Sequence, residues 1–158
     1  HAPGLDRLHH YRRVVQVEVS RCSRVPPRVL GDAAHIRFSS GAQVHPLVAT
    51  RWSRRLAPAV VIAANDGFLP GRVNFAVRNA AGIDLLHWLR SVPFTPSPAA
   101  EYANGHPRAT GGSLPAEEFE TFVRALYRRA RSAGDDRGPA HADEQLVQPR
   151  QRHQDIDQ

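Results

Sequence analysis

Apolar and polar positions along the chain fall into short runs set off by proline and glycine, and most runs carry a readable period. Residues 1–13 read as a polar, flexible N-terminal segment. Val14-Val15-Gln16-Val17-Glu18-Val19 then alternates at period two, which predicts a half-buried strand and the first element of a sheet. Arg24 to Leu30 carries Pro26-Pro27 and reads as an extended connector. Ala34 to Phe38 alternates again as a short strand, with Ser39-Ser40-Gly41 as its turn. From Pro46 to Leu56 the period is helical: Leu47, Val48, Arg51, Trp52 and Arg55 give an apolar and a basic side, and Pro58 stops the run.

Ala59-Val60-Val61-Ile62-Ala63-Ala64 is continuous, apolar and flanked by Pro58 and Asn65-Asp66-Gly67, so it predicts a strand buried on both faces. Arg72 to Arg78 alternates polar and apolar as a hairpin partner or edge strand. Asp84 can cap a short helix that runs through Leu85, Leu86 and Leu89 to Arg90. Pro93, Pro96 and Pro98 then force a loop. Past Pro115, Glu117 and Glu118 suit the positive end of a helix whose Phe119, Phe122, Val123, Leu126 and Tyr127 repeat at helical spacing. Residues 132–158 have almost no apolar content and read as a disordered tail. The class is therefore α/β, a small mixed sheet with helices packed on it.

Tyr102 to Leu114 is the stretch densest in chemistry, with Gly105, Gly111, Gly112, His106 and Arg108 close together. Glycine admits positive φ and lets a ligand approach bare N–H groups, while histidine and arginine donate to anionic oxygen. That combination suits a phosphate-contacting loop; on spacing alone a plain turn with an incidental histidine fits as well. Arg78, at a strand end, is the natural second anion ligand, although a lone arginine in this chain could equally be a solvated one. His9-His10 has no carboxylate or cysteine at ligand spacing and reads as a solvated terminus. Ser40 with His45 lacks an oxyanion device and a third member, so strand end and helix entrance describe them better. Trp52 and Trp88 lie on apolar helix faces and read as core.

The chain has 158 residues, enough for one domain. Its formal charge is +6, and all 21 basic residues are arginine, which fits a polyanionic partner or a biased base composition equally. Cys22 is the single cysteine, so no intrachain disulfide can form. No apolar run of about 18 residues and no signal-peptide core occurs, so a soluble, cytoplasmic protein without membrane partners is expected. The sequence lacks methionine and begins His1-Ala2-Pro3, which suggests a fragment whose partner domain could hold the chemistry.

Taken in order, the residues resemble the C-terminal accessory domain of the DHH phosphoesterases, most closely the RecJ-like branch. The resemblance runs over about residues 34–127. It rests on Val44-His45-Pro46-Leu47-Val48-Ala49, Pro58-Ala59-Val60-Val61-Ile62-Ala63, Val73-Asn74-Phe75-Ala76-Val77-Arg78, Asp84-Leu85-Leu86, and Asn104-Gly105-His106-Pro107-Arg108-Ala109-Thr110-Gly111-Gly112 at the place of a GGGHPxAAG-like signature. It implies a DHH-associated substrate-binding domain over 14–131 that closes on a catalytic domain. Gly105, His106 and Arg78 would contact the substrate phosphate, with Asn104 and Arg108 as additions. The implied ligands are single-stranded nucleic acid, a short oligonucleotide or a nucleotide. Manganese or magnesium would sit in the catalytic domain. Asn104 departs from the family glycine, and the aspartate and histidine metal motifs of that domain, DHH included, do not occur; Leu8-His9-His10 lacks the preceding aspartate. The implied role for this chain is binding without cleavage. Two alternatives remain: membership of a complete metal-dependent phosphodiesterase or exonuclease, and a degenerate interaction module.

Overall fold

The structure, a computed structural model, describes residues 3–135. Six strands form one mixed sheet: β1 (Arg28–Leu30), β2 (Ala33–Phe38), β3 (Val60–Asn65), β4 (Arg72–Arg78), β5 (Glu101–His106) and β6 (Ala109–Pro115), in the order β1-β2-β3-β4-β6-β5. Only β2 and β3 run parallel, joined by the crossover helix α2 (His45–Arg55); the other pairs are antiparallel. The helices α1 (Pro3–Cys22), α3 (Leu85–Arg90) and α4 (Ala116–Asp135) complete the fold. The expected α/β class and mixed sheet are what the chain forms.

The sheet lies between two helical layers. On one face Val60, Ile62, Val73, Phe75, Val77 and Leu114 meet Leu85, Trp88 and Leu89 of α3 and Phe119, Phe122 and Leu126 of α4. On the other, Ala34, Ile36, Val61, Ala63 and Ala76 meet Val19 and Cys22 of α1 and Val48 and Ala49 of α2. Strand β3 is covered on both sides along its whole length, as its unbroken apolar run predicts. A cluster of Phe75, Phe119, Phe122, Phe94 and Tyr102 rings, with centroids 5.2–6.2 Å apart, fills the α4 side under β5 and β6.

Three expectations need correction. The segment expected as a flexible lead and a first strand is one helix, α1. Val15, Val19 and Cys22 are spaced four and three apart, and they meet the sheet while Val17 stays 67% exposed. In a strand Val17 and Val19 would share a face, so the helical period wins. The connector holds a three-residue strand, β1, with only Leu30 buried. Of the two alternatives for Arg72 to Arg78, the hairpin partner is what forms: β4 pairs with β3, and β6 takes its other side. Helix α4 continues past Arg131 to Asp135; the rest of the expected tail, residues 136–158, lies outside the described residues. No described helix is long and apolar enough to cross a membrane.

Candidate functional site

The glycine-rich stretch is a strand hairpin with Pro107-Arg108 at its tip, not a loop. Its glycines serve close packing of backbone. A Cβ on Gly111 would stand 2.2 Å from the Phe75 carbonyl oxygen, and one on Gly112 2.0 Å from that of Glu101. Gly105 has φ +113°, and a Cβ there would lie 2.5 Å from the Ala109 carbonyl oxygen. Tyr102 and Ala103 together oppose Gly112, a bulge in which Ala103 takes φ +57°. Asn104 pairs regularly with Gly111, so the left-handed positions of this stretch are Ala103 and Gly105 rather than Asn104.

Strand alternation sorts the expected site residues by face. Ala76 is buried on the α2 side of the sheet and pairs with Gly111, which pairs with Asn104. Two residues along each strand, Arg78, Ala109 and His106 fall on that same face. Arg78, Asn104 and His106 thus share one side of three adjacent strands, on a shelf whose floor is Gly111 and Ala109. Both α1 and α2 pack over the β2–β3–β4 part of this face. Gly105 contributes backbone only, on the edge strand, where alternate N–H groups point away from β6.

Each side chain is held differently. Arg78 Nη1 donates to the carbonyls of Val77 and Thr110, both at 2.9 Å. The Thr110 hydroxyl donates to the Asn104 carbonyl at 2.6 Å and ties the strands together. Among the described residues no carboxylate pairs with Arg78, and half-burial pushes its pKa down by desolvation. His106 is exposed, and its Nδ1 accepts the Arg108 backbone N–H at 3.2 Å, which leaves Nε2–H as the outward donor. Arg108 leans off the shelf: its Nη1 lies where a Cβ on Gly82 would come within 2.6 Å. The Pro107 carbonyl accepts the Leu85 N–H at 2.8 Å, and Asp84 caps α3 by accepting the His87 N–H at 3.0 Å. The hairpin tip is therefore docked on the start of α3.

Further polar residues lie on the same side of the sheet, toward the end where β3 turns into β4. Arg72 Nε donates to the Ser113 hydroxyl at 2.8 Å, and Ser113 lies 3.4 Å from Asn74 Oδ1. The period of Arg72 to Arg78 already put Arg72, Asn74 and Arg78 on one face. His45, at the start of α2, is 5% exposed, and burial, reinforced by the Arg78 charge, lowers its pKa to about 4. Ser40 is engaged elsewhere, donating to Glu18 Oε2 and accepting the Ala42 N–H. Among the described residues no three His, Cys, Asp or Glu side chains gather as a metal ion would require.

This arrangement is a mixed α/β sheet that carries Arg78, Asn104 and His106 together on one face. RecJ in complex with Mg2+ from Thermus thermophilus shares the fold, with a TM-score of 0.53 at 20% identity over 82% of this chain and 19% of RecJ. A pGpG-specific phosphodiesterase, PggH, from Vibrio cholerae aligns at TM-score 0.47 and 12% identity, over 80% of this chain and 42% of its own. The C-Ala domain of alanyl-tRNA synthetase from Aquifex aeolicus aligns at TM-score 0.44 and 13% identity, over 66% and 97%. The chain thus spans about a fifth of RecJ's length. No protein-family model and no curated protein matches it.

Proposed function

We propose that this chain is a nucleic-acid or nucleotide phosphate-binding accessory domain of a RecJ-like DHH phosphoesterase, acting in the cytoplasm beside a separate catalytic domain. One observation carries the reading. Arg78 is a half-buried guanidinium whose hydrogen bonds among the described residues go to backbone carbonyls, and it faces the same side as Asn104 and His106. A charge taken partly out of water without a counter-ion is stabilised by an anion, and a phosphate oxygen meets both a guanidinium and an imidazole N–H. Gly105 would add backbone N–H contact at the edge, and Arg108, turned toward Gly82, would act through the hairpin tip.

Among the described residues no set of side chains fits a metal ion, so the role proposed here is binding, and no hydrolytic step is derived. Manganese or magnesium would belong to the catalytic domain. The ligand shares one chemistry, a phosphate, whether carried by single-stranded nucleic acid, a short oligonucleotide or a nucleotide.

Anisotropy with a labelled 5′-phosphorylated oligothymidylate, repeated across a salt series, tests the reading. Binding is expected to weaken as salt rises and to be lost in the double variant Arg78→Ala with His106→Ala. Unchanged affinity in that variant would show the site assignment to be wrong. Absence of any thermal stabilisation by a large excess of nucleotide would favour the degenerate module.

A further inference from the structure

A trough runs between α1 and α2 on the side of that layer away from the sheet. Val15 and Val19 of α1, with the half-exposed Leu47 of α2, supply its apolar lining, and Arg51, Arg54 and Arg55 form its α2 wall. No acidic residue lines it, and α2 carries none from His45 to Arg55. Among the described residues none of the three arginines forms an ion pair. Arg55 lies over the Trp52 ring, 5.2 Å from its centroid. Glu18, the acid nearest to Val15 and Val19 along α1, is engaged with Arg21 and Ser40.

Like charges three and four residues apart repel on a helix surface, so Arg51 opposes both Arg54 and Arg55 unless an anion sits among them. The negative end of the helix favours Arg54 and Arg55 in the last turn. It does not account for Arg51, one turn earlier, or for the apolar lining beside it.

The arginine end of the trough and Arg78 lie at the same end of the sheet. Helix α2 crosses from β2 to the parallel β3, so its last turn stands where β3 begins. There Val61 pairs with Arg78, and Asn79 Nδ2 donates to the carbonyls of Pro58 and Ala59 at 2.7 and 3.1 Å. The chain leaving α2 is thereby tied to the strand end that carries Arg78.

We propose that Arg51, Arg54 and Arg55 hold the sugar-phosphate backbone of a single strand of nucleic acid whose terminal phosphate sits on the shelf. This rests on the phosphate-binding shelf proposed above, and it names the ligand as a strand rather than a free nucleotide. The apolar lining meets bases, which a duplex would keep stacked out of reach. A helix with its side chains is about 10 Å across, so the strand must be several nucleotides long to pass over the last turn of α2 and reach both sites.

Calorimetry on the full chain with thymidine 5′-monophosphate and with a 5′-phosphorylated dodecathymidylate, across a salt series, is the test. Arg51→Gln with Arg54→Gln should leave the monophosphate affinity unchanged. It should raise the dodecamer Kd roughly tenfold and reduce the slope of log Kd against log salt by roughly 0.7 for each charge removed. Unchanged dodecamer affinity and slope in that variant, with both probes weakened by Arg78→Ala, refutes the trough and leaves the shelf standing. If Arg78→Ala weakens neither probe, the shelf falls and the path from it falls too. Polyglutamate bound as tightly as the dodecamer, and weakened equally by the double variant, would show a site for an acidic chain and overturn the strand. If melting curves show the double variant unfolded, the wild-type arginine Nε–H spectrum decides. Arg51 and Arg54 signals that shift with the dodecamer and not with the monophosphate support the path, and signals that stay still with both refute it.

Discussion

Arg78 spends one of its nitrogens on the Thr110 carbonyl, 2.9 Å away on the neighbouring strand, and none on a carboxylate among the described residues. Strand-to-strand anchoring fixes the guanidinium, and partial burial without a counter-ion makes it a poor contributor to stability. Arg78→Met is therefore expected to leave the melting temperature unchanged or a few degrees higher. The same variant should weaken binding of a phosphorylated oligonucleotide by at least about tenfold. Melting curves and anisotropy on one preparation separate the two effects. A large loss of stability would mean that Arg78 is structural.

The hairpin should be intolerant at Gly105 and improvable at Ala103. Gly105→Ala puts a methyl 2.5 Å from the Ala109 carbonyl oxygen in a left-handed conformation, and a loss of roughly 2 kcal/mol is expected. Ala103→Gly removes a strained alanine at φ +57° and should raise stability by up to about 1 kcal/mol. Denaturant midpoints at constant m-value measure both changes.

Helix α1 makes opposite forecasts for two valines. Val19→Asp buries a carboxylate against the sheet and should cost about 3 kcal/mol, whereas Val17→Asp, in solvent, should change stability by less than about 0.5 kcal/mol. Equal effects would restore the strand that the alternation suggested.

That contrast shows where the sequence was readable. Runs with one clear pattern, such as the short unbroken apolar stretch Val60 to Ala64 between breakers and the helical period of Phe119 to Leu126, translate directly into a doubly covered strand and a core-facing helix. Val14 to Val19 satisfies both periods, and the choice depends on Cys22 and on the Ala34–Ile36 surface it meets. Arg78 and His106 stand out as candidates by residue type and Asn104 only through the resemblance, and the sheet register puts all three on one face. His45 does not stand out, because what distinguishes it is a buried ring nitrogen without a partner, which only packing creates. Gly111 and Gly112 were misleading, since the bareness that suits a phosphate loop also suits two strands pressed together.

Acid should weaken the fold through two histidines. Burial, with Arg37 and Arg28 adding for His35 and Arg78 for His45, lowers both pKa values from an ordinary 6.5 to about 4. Between those values the unfolded chain binds more protons than the native one at both sites, so the histidines' share of stability falls as pH drops from about 6.5 toward 4 and changes no further below, where the lowered Glu18 carboxyl takes over. Each histidine contributes at most about 3 kcal/mol to the fall. Urea midpoints at steps from pH 7.5 to 4 should follow this slope, and replacing both by Phe should flatten it. A slope unchanged in the double variant would place the acid sensitivity elsewhere.

Gly111 limits how such a surface can diversify. Because a single added carbon at that floor position would collide with the neighbouring strand's carbonyl, no substitution at position 111 fits without parting β4 from β6. Selectivity among ligands would instead have to be tuned around it, at positions 74, 104 and 109, where side chains are half-buried or exposed. A directed library confined to those three codons is accordingly a small search that leaves the ladder intact.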